Sequence, residues 1–219
     1  MISVVTPTYQ NRVELAGAIA SLNAQIYKDW QHVVVADGQD PVLRHEMRTR
    51  GYRAAGKKVF IELGRNWHGF LGGDHGGQPP GSPGARGGRG SRAVAAALIG
   101  THLAAGEYIA YLDADCLFRE DHLEVCAKTL EATGADFVFT KMLRHLDGRP
   151  WDVIGTGQVG HGQIDGNMVV HKAGLLAVAN WRWGGDADWD VIGRWHAAGA
   201  TAEFIPETTI HWHHQSGDI

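Results

Sequence analysis

Two aspartates separated by one residue, Asp113 and Asp115, follow the apolar run Tyr108-Ile109-Ala110-Tyr111-Leu112. Paired carboxylates at that spacing can hold a divalent cation while one of them also reaches a ligand hydroxyl. The pattern alone is common in solvated turns, so its surroundings must decide. A second acidic stretch, Gly184-Gly185-Asp186-Ala187-Asp188-Trp189-Asp190, precedes a helix expected from about Asp188 to Ala198, where the helix dipole favours negative charge. Near the C-terminus stands His211-Trp212-His213-His214. In extended backbone His211 and His213 share a face and His214 takes the other. Imidazole beside carboxylates suits Mn²⁺ better than Mg²⁺, so one of these histidines can complete a metal shell.

The elements around these residues alternate between strand and helix. Ile2 to Thr6 reads as a strand stopped by Pro7, and Asn11 with Glu14 three residues on reads as a capping box for a helix carrying Leu15, Ala18, Ile19 and Leu22. His32-Val33-Val34-Val35-Ala36 has the unbroken apolar character of a buried parallel strand and closes on Asp37-Gly38; Val59-Phe60-Ile61 predicts a third strand. Ser91 is placed to cap a helix to about Ala105, and Gly106 ends it before Tyr108–Leu112. A helix with Leu123, Cys126, Ala127 and Leu130 then leads to a strand at Phe137–Phe139, and Gly155 to Gly162 is irregular. This order predicts an α/β fold with a mostly parallel sheet. In such sheets ligands bind outside the carboxyl ends of the strands, so Thr6, Asp37 and Asp113 face one crevice. From Gly69 to Gly90 ten glycines and three prolines make a loop in which a packed element would cost too much backbone entropy.

Composition excludes several classes. With 219 residues, 44% hydrophobic, the chain can build one substantial core and is not disordered. A formal net charge of −4 gives no basic field for nucleic acid. Cys116 and Cys126 are the only cysteines, too few and too poorly spaced for a disulfide scaffold or a thiolate zinc site. The N-terminal segment lacks a basic region before its apolar run, and no stretch approaches the roughly 20 apolar residues of a transmembrane segment, so a soluble, cytoplasmic protein is expected. We find no repeat of solenoid period.

Thr6-Pro7-Thr8-Tyr9 after the first strand, Ser21-Leu22-Asn23-Ala24-Gln25 at the end of the first helix, Asp37-Gly38 after the second strand, Gly106-Glu107-Tyr108-Ile109, and Asp113-Ala114-Asp115 together resemble the family 2 glycosyltransferases of the GT-A fold, over nearly the whole chain. The resemblance implies a Rossmann-like sheet flanked by helices in a single domain over 1–219. Residues 1–115, including the Gly-rich loop 69–90, would form the nucleotide-binding half, and 116–219 the acceptor half. It also implies a donor-binding set of Thr6, Pro7, Tyr9, Asp37, Arg92, Asp113 and Ala114. Asp37 would accept from the nucleotide base; a carboxylate can accept from the imide N–H of uracil, thymine or guanine but not from adenine. The family's first aspartate at that turn is Ala36 here, and the asparagine expected after Arg92 is Ala93. Asp115 and His213 would hold Mn²⁺ or Mg²⁺. Alignment of the acidic stretch to Trp189 puts Asp188 at the position of the catalytic base, with Ala187 where the family has glutamate and Asp186 as the rival. Trp181, Trp183 and Trp189 would surround it, for sugar stacking or for core packing.

The implied activity is metal-dependent, inverting transfer of a sugar from a nucleotide diphosphate sugar, UDP foremost with GDP or dTDP open, to a hydroxyl acceptor. Two other classes compete. A sugar nucleotidyltransferase would carry a Gly-rich, basic signature directly after the first strand, where Thr6-Pro7-Thr8-Tyr9 stands. A non-catalytic nucleotide-sugar or carbohydrate-binding module would have no need of Asp113, Asp115 and Asp188 together.

Overall fold

The computed structural model of the chain describes residues 1–65, 94–182 and 186–214. Its elements are β1 (Ile2–Thr8), α1 (Arg12–Asn23), β2 (Trp30–Ala36), α2 (Pro41–Thr49), β3 (Lys58–Glu62), α3 (Val94–Leu103), β4 (Tyr108–Tyr111), β5 (Cys116–Phe118), α4 (His122–Thr133), β6 (Phe137–Leu146) and β7 (Arg149–Ile154). After a 3-10 turn at Gly166–Met168 come β8 (Val169–Lys172), a second 3-10 turn at Ala173–Ala177, α5 (Ala187–Ala197) and β9 (Ala202–His214).

These strands form one sheet in the order β3-β2-β1-β4-β8-β6-β9-β5, with β7 paired to β6. The first half is parallel, β3 on β2, β2 on β1 and β1 on β4. The second half is mixed: β8 runs antiparallel between β4 and β6, while β9 lies parallel to β6 and antiparallel to β5. Strands buried on both faces explain the apolar runs. Val33 and Val35 join a core cluster with Val5 and Val94, whereas Val34 and Ala36 meet Leu15, Ile19, Leu43 and Met47 on the other face. Helix α3 rides close on the sheet at Gly100, where a Cβ would collide with Val5. Its bare backbone is what allows that approach.

Several sequence expectations shift. Pro7 does not end β1; it sits in register with Val35 of β2. The ladder to β4 covers only Ile2 to Val5, and the backbone of Thr8, one residue on, faces β2, accepting from Asp37 N at 2.8 Å. The missing N–H of Pro7 therefore points to the side where β4 has already left, and costs no ladder bond. Asn11 occupies the N-cap of α1 without capping it; its Oδ1 instead accepts from Thr8 Oγ1 at 2.7 Å and Tyr9 N at 3.1 Å, so it shapes the turn before the helix. The expected cap Ser91 and the Gly-rich segment 69–90 lie outside the described residues. Phe137–Phe139 is the start of a longer strand, and the C-terminal histidines lie on β9, as the extended reading required.

Half-buried Ser21 and buried Gln25 act as ties. Gln25 Nε2 donates to Arg119 O at 2.7 Å and Ser21 O at 3.2 Å, its Oε1 accepts from Leu123 N at 3.0 Å, and Ser21 Oγ accepts from Phe118 N at 3.2 Å. The end of α1 is thereby locked to β5 and the start of α4. That satisfies backbone groups the helix would otherwise leave orphaned.

Candidate active site

The site is built where β4 ends. Leu112 N makes a last bond to Val5 O at 3.0 Å, and the next backbone N–H, that of Asp113, is taken by Asn167 Oδ1 at 2.7 Å. A tight turn, Cys116 N to Asp113 O at 3.0 Å, carries the chain past Asp115 into β5. Because Cys116 is in register with Trp212 of β9, the β9 backbone and side chains reach Asp115: His213 N donates to its carbonyl at 3.0 Å and Trp212 Nε1 to its Oδ2 at 2.9 Å.

Opposite stands the start of α5. Asp188 Oδ2 accepts from Gly166 N at 3.1 Å, in the 3-10 turn that leads into β8. Gly166 has no room for a side chain: a Cβ would lie 3.2 Å from the Trp181 ring and 3.3 Å from Asp188 Cγ. Asp165 caps this turn, its Oδ1 accepting from Asn167 N at 2.9 Å and Asn167 Nδ2 at 2.8 Å, and the same Nδ2 reaches Asp113 Oδ2 at 3.1 Å. Asp113 and Asp165 thus meet at one asparagine, with Asp115 two residues from Asp113 and Asp188 bonded to the neighbouring Gly166.

Convergence has an electrostatic consequence. Burial, then the charges of Asp115 and Asp165, push the Asp113 carboxyl up to about 7, with the Asn167 hydrogen bond opposing. Burial, then Asp165 and Asp113, hold Asp188 well above the usual carboxylate range. Among the described residues no lysine or arginine pairs with Asp113 or Asp188, and carboxylate oxygens are the hard donors that suit Mg²⁺ or Mn²⁺. Among the described residues no group of three or more His, Cys, Asp or Glu is arranged to enclose a metal ion.

The other sequence-predicted residues fall as follows. Thr6 is fully buried and its Oγ1 pairs with His32 Nε2 at 2.9 Å, while His32 Nδ1 meets Tyr52 OH at 2.5 Å. Pro7 and Asp37 are buried, Ala114 packs in the cluster of Leu15 and Ile19, and Tyr9 is exposed. Arg92 and Trp183 lie outside the described residues. The ring of His213 stacks on His145 with centroids 4.4 Å apart, and His145 Nε2 meets His211 Nδ1 at 3.0 Å. Burial and the neighbouring imidazoles lower the pKa of both His211 and His213. Trp181 is buried edge-on against Tyr111, 5.0 Å between centroids. Asp186 sits at the surface in left-handed backbone, φ 50°, and pairs with His161 Nε2 at 2.9 Å. Asp190 is engaged by Arg182 and Arg194. Of the three acidic residues in this stretch, only Asp188 turns into the crevice.

Sequence reasoning missed Asp165 and Asn167. The available signal was Asp165-Gly166-Asn167 directly before the apolar Met168–Val170, a turn that opens onto a strand.

Comparison with known proteins bears on one segment of the sequence and on the fold. Residues 85–170, which include Asp113, Asp115, Asp165 and Asn167, match the sequence model of glycosyl transferase family 2. No curated protein matches by sequence. Among solved structures the chain is similar to S. aureus TarS. It matches TarS 1-349 in complex with UDP at TM-score 0.69 and 15% identity, covering 97% of this chain and 60% of that one. It matches the complex with UDP-GlcNAc at 0.67 and 16%, covering 99% and 59%. Against a longer TarS structure it spans only 36% of the chain, at TM-score 0.70 and 15% identity. The segment 85–170 is thus similar in sequence to the family 2 glycosyltransferases, and the chain shares its fold with the TarS structures. No helix among the described residues is long and apolar enough to cross a membrane.

Proposed function

We propose that the chain transfers a sugar, with inversion, from a nucleoside diphosphate sugar, UDP foremost, to a hydroxyl acceptor. The observation that carries this reading is the opposition of two sets of carboxylates across one crevice, Asp113 and Asp115 at the end of β4 and Asp188 at the start of α5. The TarS structures with UDP and UDP-GlcNAc support the choice of donor.

In this reading Asp37 accepts from the base, Asp113 stands beside the donor, and Asp115 with His213 would hold a Mn²⁺ or Mg²⁺ ion. When bound, that ion offsets the charge that develops on the departing diphosphate. Asp188 takes the proton of the acceptor hydroxyl as its oxygen attacks the anomeric carbon, and the bond to the diphosphate breaks on the opposite side. Burial and Asp165 raise the proton affinity of Asp188, which is what a base working on a hydroxyl needs. The Trp212 N–H on Asp115 fixes one donor-side oxygen.

A thermal-shift panel tests this directly. UDP, dTDP or GDP with Mn²⁺ should raise the melting temperature and ADP should not, since a ligand bound only by the folded state stabilises it by about 2.7 kcal/mol at a hundred times its Kd. Hydrolysis of the corresponding sugar nucleotide should need the metal. A chain that no nucleoside diphosphate stabilises does not have this function.

A further inference from the structure

We infer that Asn167 is a positioning residue for Asp113, an inference that rests on reading Asp113 and Asp115 as the donor-side carboxylates. Asn167 is buried at 4% exposure, and its amide is fully used on acidic neighbours. Its Oδ1 accepts the Asp113 backbone N–H at 2.7 Å, and its Nδ2 donates to Asp113 Oδ2 at 3.1 Å and Asp165 Oδ1 at 2.8 Å. The amide has one sensible orientation. Turned over, it would aim oxygen at two carboxylates and nitrogen at a backbone donor.

Two points on one residue define a grip. The backbone and the carboxylate of Asp113 are held by the same side chain, so the carboxylate's torsions are set before any ligand arrives. One oxygen, Oδ2, is occupied; the other receives no donor from the described residues. The grip is itself anchored. Asp165 caps the turn that carries Asn167, and β8, which follows at once, is locked antiparallel to β4 with Val170 opposite Ala110.

The chemistry of an amide matters here. A lysine or arginine at this point would orient Asp113 equally well, yet it would neutralise the charge that must attract a divalent cation. A neutral donor holds the carboxylate and leaves its charge intact. It also separates Asp113 from Asp165, whose mutual repulsion would otherwise turn one of them out of the crevice.

The test is calorimetric titration of UDP, with and without Mn²⁺, into the full chain and its Asn167→Ala and Asn167→Asp variants, each also made in an Asp113→Ala background. Asn167→Ala should weaken UDP binding in Mn²⁺ about tenfold, and leave metal-free UDP binding within twofold. That loss is of the size expected for a hydrogen bond to a charged group. Asn167→Asp fills the same space but replaces the donor with a third negative charge, and should weaken binding at least as much. In the Asp113→Ala background the effect of Asn167→Ala should shrink below twofold, because the group it positions is gone. If Asn167→Ala is insoluble, Asn167→Ser, too short to reach Asp113, should give the same pattern. Unchanged affinity, an equal loss without Mn²⁺, or an equal loss without Asp113 would reduce Asn167 to a structural tie and overturn the inference. A wild-type chain that binds no UDP, GDP or dTDP would instead overturn the functional reading, and this inference with it.

Discussion

Replacing Asp113 by Asn should stabilise the ligand-free protein at alkaline pH while removing its function. Burial and two neighbouring carboxylates move the Asp113 carboxyl from 3.8 to about 7. Between those values the folded chain holds a proton that the unfolded chain has released, so stability falls as pH rises, and the loss is complete above the folded value. At about 1.4 kcal/mol per tenfold change in proton affinity, the cost of ionising Asp113 in the fold reaches about 4 kcal/mol. The side chain is only partly buried, so water and small rearrangements recover part of this, and about 2 kcal/mol is the working figure. The variant keeps the shape and an oxygen able to accept from Asn167. Urea unfolding of both proteins with chelator at pH 4, 5, 6, 7 and 8 follows Asp113 together with its coupling to the neighbouring carboxylates, because titrations elsewhere are common to the pair. The stability difference in favour of Asp113→Asn should be near zero at pH 4 and grow to about 2 kcal/mol by pH 8. Mn²⁺ with UDP should reverse the order at pH 8. A difference that stays flat with pH, or favours the wild type at pH 8 without ligand, would refute the electrostatic account of the crevice.

Asp188→Asn should leave UDP affinity nearly unchanged and lower turnover by about 10²–10⁴, the usual contribution of a general base, whereas Asp186→Asn, a surface residue paired with His161, should change turnover little; NMR of the product should find the anomeric configuration inverted. Asp37→Ala should cost about 1.5–3 kcal/mol of UDP binding and erase discrimination against ADP, and equal affinity of the wild type for all four bases would contradict the assignment. Gln25→Ala should lower the stability of the chain by about 2–3 kcal/mol in urea unfolding with no change in the Michaelis constant for donor, because its amide serves backbone groups of Ser21, Arg119 and Leu123 far from the carboxylates.

The parallel half of the fold was legible because its strands are buried on both faces and announce themselves as unbroken apolar runs, as in Val33-Val34-Val35. Asp113 and Asp115 were legible for a related reason: a polar pair directly after such a run must stand at a strand mouth. Asp188 was separable from Asp186 and Asp190 only through the family pattern, since the dipole of α5 accounts for all three. Its turn onto Gly166 N, against the pairing of Asp186 with His161 and of Asp190 with two arginines, is a fact of packing that no helical periodicity encodes.

Asp165 and Asn167 were not legible, and the reason is topological. Asn167 lies 54 residues from Asp113, and the two meet only because β8 enters antiparallel between β4 and β6, with a register that sets Val170 opposite Ala110. Alternation of apolar residues tells which face of a strand is inward, but not which strand becomes the neighbour of β4. A slip of one residue would carry Asn167 and Asp165 away together and leave the backbone N–H and carboxylate of Asp113 without the amide that pairs them. The site itself therefore disfavours the wrong register. The polar bridge at the end of β4 selects a pairing that the apolar pattern of Val169-Val170 alone would leave ambiguous, and the same bridge holds the carboxylate on which donor binding is proposed to depend.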